Sequence, residues 1–280
     1  MALAKLIPAL MLVALMFDAG LQVDREHLMA ALKNAGLLGR ALLANVVAVP
    51  LFGWLLAGLF RLPQDIATGF LLMAIAPGVP FVVVGARKKG GSLGFAVALA
   101  LLLPLVSLVT IPPTAALVLP PGAEARIPLP QFLTTLLLFQ ALPLLCGIAV
   151  AARFEATAER LRRPVGLIAI VALVAVLIVL APRLAAGIAT VFGSRGMWAM
   201  LCLTLLSAIV GFLLGGPSSQ DRHTLSNATT LRNVGLCILI ATTSFAGTDV
   251  PAAVLTYLVV QVIVSTLVGM YFKRTTEAAA

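Results

Sequence analysis

Between Val165 and Phe192 the chain runs for twenty-eight residues with one charged side chain, Arg183. A bilayer's hydrocarbon core takes about 20 apolar residues of helix to cross. A soluble fold has no means of hiding such a run. The rest of the chain repeats the pattern: 61% of its side chains are apolar and only 10% charged, against roughly 25% charged in soluble domains. Those proportions exclude a large soluble domain, a disordered chain, a collagen-like fibre and a disulfide-stapled module. The fold class is an all-α polytopic membrane protein, seated in a bacterial inner or plasma membrane.

Apolar runs and Pro/Gly/charge punctuation predict nine spans. They are Leu3–Leu21, Leu37–Phe60, Asp65–Lys88, Ser92–Leu119, Phe132–Arg153, Val165–Phe192, Met197–Leu214, Asp221–Phe245 and Pro251–Phe272. Leu3–Leu21 reads as a first span rather than a cleaved leader, because only Lys5 precedes the apolar run and no small-x-small cleavage site follows. Glu155–Arg163 reads as a short interfacial helix before the sixth span. Ser218-Ser219-Gln220-Asp221 reads as a helix cap.

The excess of 19 Lys+Arg over 10 Asp+Glu is explained by loops on the cytoplasmic side, without nucleic acid. With the N-terminus outside and the C-terminus inside, thirteen basic residues fall on the inner side, including Arg160, Arg162 and Arg163 as a headgroup anchor, and five on the outer. The nineteenth, Arg232, is counted on neither side and falls inside the eighth span. Cys146, Cys202 and Cys237 lie in separate apolar runs with no CxxC or Cys/His cluster, so neither a metal site nor a disulfide is expected. No cofactor is expected either.

Two spans are wrong as plain crossings. The third is interrupted at Pro77-Gly78-Val79-Pro80, which removes backbone donors at mid-depth. The eighth is polar from Thr224 to Asn233, with Gly235 as a point where the helix can loosen. Paired interrupted helices in matching positions of two halves point to a transporter's midplane site. The second half-helices, from Pro80 and Val234, would then offer backbone N–H groups to an anion. Ser226, Thr229, Thr230 and Asn233 share one helical face, and either line a substrate path or bond back to their own helix. Asp18 reads as an acid near a span end, and His223 as an interfacial residue.

Enzyme chemistry lacks its parts. No two acids share a polar helix face for metal-dependent prenyl transfer. There is no Gly-x-Ser-x-Gly context, and only Asp18 approaches a membrane-embedded aspartate. A receptor or scaffold subunit remains an alternative to a carrier.

Met16-Phe17-x-x-Gly20-Leu21, Ala76-Pro77-Gly78, the basic-Gly turn Lys88-Lys89-Gly90-Gly91, Pro112-Pro113 and Arg232-Asn233-Val234-Gly235-Leu236 occur in this order from Ile7 to Phe272. Together they resemble the bile acid:sodium symporter family in its nine-helix form. The resemblance implies an inverted repeat and a panel (residues 1–24 and 129–192) moving against a core (25–128 and 193–280). It also implies alternating-access transport of a small organic anion. The related auxin-efflux and arsenite-efflux carriers make an efflux role the same-class alternative, and Cys237 the thiol to inspect.

The resemblance places the family's sodium ligands at Val82, Val83, Ala100, Ala228, Arg232 and Asn45. Sodium, like other hard cations, wants oxygen ligands. Valine and alanine offer none on their side chains, and only Asn45 and the neighbouring Asn233 keep amide oxygens. The expectation is a carrier without the two-sodium coupling, in which the Arg232 guanidinium stands in for bound sodium. The coupling ion, sodium or proton, stays open. Asn45, Asn233 and the carbonyl end of the first half of the eighth span are the expected acceptors for that guanidinium.

Overall fold

The computed structural model describes residues 2–23, 26, 28–29, 33–78, 82–83, 86, 90–123 and 127–278. Among them there is no strand. In chain order the helices are α1 (Ala2–Leu21), α2 (Ala35–Leu59), α3 (Gln64–Ile75), α4 (Leu93–Val118), α5 (Leu129–Arg153), α6 (Glu155–Gly193), α7 (Gly196–Leu214), α8 (Ser219–Thr230), α9 (Val234–Ser244) and α10 (Val250–Ala278). Six of them (α2, α4, α5, α6, α7 and α10) hold stretches long and apolar enough to cross a membrane. Shorter apolar helices run over Leu6–Leu21 and Gln64–Ile75.

Small residues let α1 come close to α5. α1 packs against α5, α6 and α9. Where α1 meets α5, a Cβ on Gly20 would overlap the Leu144 carbonyl, and one on Gly147 would overlap the Phe17 carbonyl. Glycine pairs of this kind let membrane helices approach through their backbones, where dispersion rather than water expulsion holds them together. The C-terminal end of α1 is capped from α6: the Arg162 Nε donates to the Leu21 carbonyl at 3.0 Å. One member of the expected headgroup anchor therefore serves a helix terminus.

α6 corrects the expectation of a separate interfacial helix. Glu155–Arg163 is its first part, and the helix continues without a break to Gly193, 39 residues in all. Pro164 removes one backbone donor, but it lies at the exposed, polar end, where water can take the released carbonyl. The hydrophobic signal and the polar extension are one rod, about 58 Å long at 1.5 Å per residue.

α2 and α5 each contain one wide turn. Leu43–Ala48 and Leu136–Ala141 are π-helical, and the Val49 and Leu142 N–H groups reach back five residues to Ala44 and Leu137. Pro50 and Pro143 come next in the chain. A proline ring clashes with the carbonyl four residues upstream in a regular helix, and widening the preceding turn by one residue relieves that clash.

The polar eighth span is buried because its hydroxyls are used. Ser218 caps α8 by accepting from the Asp221 N–H at 3.4 Å, as the sequence predicts. Ser226 donates to the Ala208 carbonyl of α7 at 2.9 Å and Thr229 to that of Ser207 at 2.7 Å. Gly211 on α7 makes room, since a Cβ there would run into Thr229 Oγ1 and the Leu225 carbonyl. Unsatisfied polar groups are costly away from water, and this seam removes that cost.

Candidate functional site

Both interrupted spans are broken. α3 ends at Ile75, with Ala76 extended at φ −95° and ψ 98°. α8 ends at Thr230 and α9 begins at Val234, so Leu231–Asn233 forms the second break. The loosening lies ahead of Gly235, which is helical in α9 and faces Leu12 and Leu15 of α1. Pro80 and Val79 lie outside the described residues.

The two breaks touch through their backbones. The Asn233 N–H donates to the Ala76 carbonyl at 3.2 Å. Gly78 lies against the Leu231 carbonyl so tightly that any Cβ would occupy the same space. Glycine at position 78 is a requirement of this close approach. Gln261 of α10 completes the second break. Its Oε1 accepts from the Arg232 N–H at 2.8 Å and its Nε2 donates to the Arg232 carbonyl at 3.5 Å. One side-chain amide thus serves both peptide groups that the helix has lost.

From this junction the Arg232 side chain runs inward. It is 1% exposed, and the largest fully buried side chain described. Nε donates to the Met73 carbonyl at 3.0 Å. Nη1 donates to Asn45 Oδ1 at 3.2 Å, and Nη2 to the Asn45 carbonyl at 3.4 Å and to the Ala74 carbonyl. Asn45 is held in turn, its Nδ2 donating to the Ala41 carbonyl at 3.0 Å. All these acceptors are neutral oxygens. Two belong to the last turn of α3, where helix carbonyls lack partners and the dipole is negative. Asn45 is an acceptor as the sequence predicts. The helix end is not the one expected: it is that of α3, on the partner break, rather than that of α8.

Asn233 turns away from the guanidinium. Its Oδ1 caps α9 by accepting from the Leu236 N–H at 3.2 Å, while Nδ2 donates to Gln140 Oε1 at 2.9 Å. Gln140, fully buried in the wide turn of α5, donates through Nε2 to Ser107 Oγ at 2.7 Å and to the Pro104 carbonyl at 3.0 Å. At the start of α9 three of the first four N–H groups have internal partners: Val234 on the Arg232 carbonyl, Leu236 on Asn233 Oδ1 and Cys237 on the Asn233 carbonyl. In this conformation the start of α9 is closed as an anion site.

The remaining predicted residues have partners of their own. Ser226 and Thr229 bond to α7, and Thr230 donates to the Ser226 carbonyl at 2.6 Å. Thr230 also borders a small pocket between α8 and α10 with His223, Asn227 and Ser265. His223 is stacked on Phe272, ring centroids 4.2 Å apart, and its side chain is buried. Asp18 is half-buried and accepts from Gln22 Nε2 at 2.7 Å. Val82, Val83, Ala100 and Ala228 are all buried and belong to one apolar cluster. Among the described residues no group of three or more His, Cys, Asp or Glu could hold a metal ion.

Gln140 and Gln261 were not singled out from the sequence. The available signal was an amide in the middle of an apolar run, at Phe139-Gln140-Ala141 and Val260-Gln261-Val262.

No curated protein matches the chain significantly. The model of the sodium bile acid symporter family matches residues 9–190, about two thirds of the sequence. The match takes in the first break and the α1–α5 glycine contact, and ends before α8. Members of that family are membrane transporters rather than enzymes. The apolar helices, the first break and this match lead to one conclusion: the chain belongs to the sodium bile acid symporter family.

Proposed function

We propose that this chain is a secondary active transporter of a small organic anion, working by alternating access without two-sodium coupling, with the Arg232 guanidinium as its built-in cation. The observation that carries this reading is the side chain of Arg232 itself, 1% exposed and donating only to neutral oxygens of Asn45, Met73 and Ala74. A charged side chain deep in a membrane protein costs about 2.5–3.5 kcal/mol on insertion scales, so a chain that carries one there uses it. Four neighbouring oxygens gathered on a positive charge resemble what a hard cation demands. The positions where the resemblance puts sodium ligands support the reading from the other side. Val82, Val83, Ala100 and Ala228 fill their space with hydrocarbon.

The panel in this reading is α1, α5 and α6, and the core is the remainder. The anion would be met near the crossing once panel and core part, since the start of α9 is closed in the conformation described. Cys237, the thiol on which an arsenite-type carrier would turn, is buried and donates to the Leu72 carbonyl at 3.3 Å, so efflux of that kind draws no support from its setting.

Purified protein in liposomes tests the proposal, with radiolabelled taurocholate and a set of simple carboxylates, with and without sodium and a pH gradient. Uptake of at least one anion persists when choline replaces sodium, and Arg232→Gln abolishes most of it. Strict sodium dependence, or full uptake by Arg232→Gln, overturns it.

A further inference from the structure

Among the described residues, the polar contact that joins α5 to the crossing is made by Gln140. Its carboxamide is fully buried, and both ends are engaged with elements outside its own helix: Oε1 with Asn233 Nδ2, Nε2 with Ser107 Oγ and the Pro104 carbonyl of α4. The side chain is delivered by the wide turn of α5, which aims it at the break between α8 and α9. In the proposed division α5 belongs to the panel, while α4, α9 and Asn233 belong to the core. Every other contact between α1 and α9 described above, such as Leu12 and Leu15 against Gly235, is apolar. Apolar surfaces slide past each other with little angular preference, whereas a hydrogen bond at 2.9 Å is either made or broken.

We propose that the Gln140–Asn233 hydrogen bond is the latch between panel and core, holding the closed conformation and breaking once in each transport cycle. The inference rests on the alternating-access reading above. It makes Gln140 a positioning residue: it sets which conformation is populated and orients the Asn233 amide so that Oδ1 faces the start of α9. Both partners are buried in the closed conformation, so either amide left there without the other would be an unsatisfied polar group.

The experiment uses the full chain in liposomes with Cys146→Ser, Cys202→Ser, Cys237→Ala and a reporter, Leu15→Cys. Leu15 is 5% exposed and lies at the α1–α9 contact, so a charged methanethiosulfonate reagent reaches it only when panel and core part. Gln140→Met keeps the length of the side chain and removes the bond from one side. Asn233→Ser keeps a helix-capping oxygen and removes it from the other. Each raises the modification rate roughly tenfold over the reporter alone, the population shift that losing one ordinary hydrogen bond produces. Circular dichroism on each variant separates this effect from unfolding, since helix content stays at the reporter's value if only the latch is lost.

Uptake by the parent protein with unchanged modification in both variants overturns the latch and leaves the carrier reading standing. Absence of uptake together with unchanged modification overturns both. A rise in Gln140→Met that Asn233→Ser fails to reproduce also overturns the latch, because it assigns the effect to Ser107 and Pro104 instead.

Discussion

Arg232 carries two opposing energies. Burying its charge costs about 2.5–3.5 kcal/mol. Removing it would orphan acceptors at Ala74 and Asn45, and an unsatisfied buried polar group costs roughly 1–3 kcal/mol. The two terms nearly offset for a replacement of similar volume. Arg232→Met is therefore expected to leave the thermal midpoint in detergent within a few degrees of the parent while abolishing transport. Arg232→Ala adds a cavity to the same orphans, and large-to-small changes in packed interiors cost roughly 2–5 kcal/mol. Its midpoint should fall clearly below that of Arg232→Met. Equal midpoints for the two would mean that the side chain is not packed as described. Asn45 was legible as a partner because it is an oxygen-bearing side chain in an apolar run. The Met73 and Ala74 carbonyls were not, because any residue supplies a carbonyl and only the end of α3 makes these two available.

The elements show where reading a sequence succeeds and where it stops. Pro77-Gly78 marks the end of α3 locally, since proline and glycine act on their own turns. The second break was anticipated in the right stretch, but with the loosening at Gly235 instead of Leu231–Asn233. The reason is that Gln261, 29 residues away, holds the Arg232 peptide groups open, and no local pattern carries that information. The continuity of α6 is hidden for the converse reason: the polarity changes near Pro164 while the helix does not. Two glycine substitutions separate crowding from conformational freedom. Gly78→Ala must push its Cβ into the Leu231 carbonyl. Backbone cannot yield as a side chain can, so loss of the folded, monodisperse protein on size exclusion is expected. Gly39→Ala lies in an exposed part of α2 with nothing within 4 Å, and should stabilise by about 0.5–1 kcal/mol, read as a higher thermal midpoint.

For the whole molecule, the distribution of charge makes an independent claim. Arg160 is exposed at the start of α6 and Arg61 is exposed after α2, and the charge tally of the nine predicted spans expects the first on the basic side and the second on the other. Basic loops stay cytoplasmic, so the two residues should lie on opposite sides of the membrane. Single cysteines at Arg61 and Arg160 in a background without native cysteines test this with an impermeant maleimide on intact cells. Arg61→Cys reacts directly, and Arg160→Cys only after permeabilisation. Reaction of both from one side would remove the orientation, and with it the count of crossings on which it depends.

The wide turns of α2 and α5 reach furthest. Each holds the one amide of its helix that meets the crossing, Asn45 in Leu43–Ala48 and Gln140 in Leu136–Ala141. A π turn is an α-helix with one residue inserted, and each residue turns a helix by about 100°. Deleting a single residue from either turn would leave a straighter, equally apolar rod that still spans the bilayer. Its amide would point a quarter-circle away, towards lipid or an unrelated neighbour. Composition, length and hydropathy would be unchanged to any practical degree, and the crossing would lose a partner. In this chain the registry of two side chains is stored as a single surplus amino acid in each of two helices.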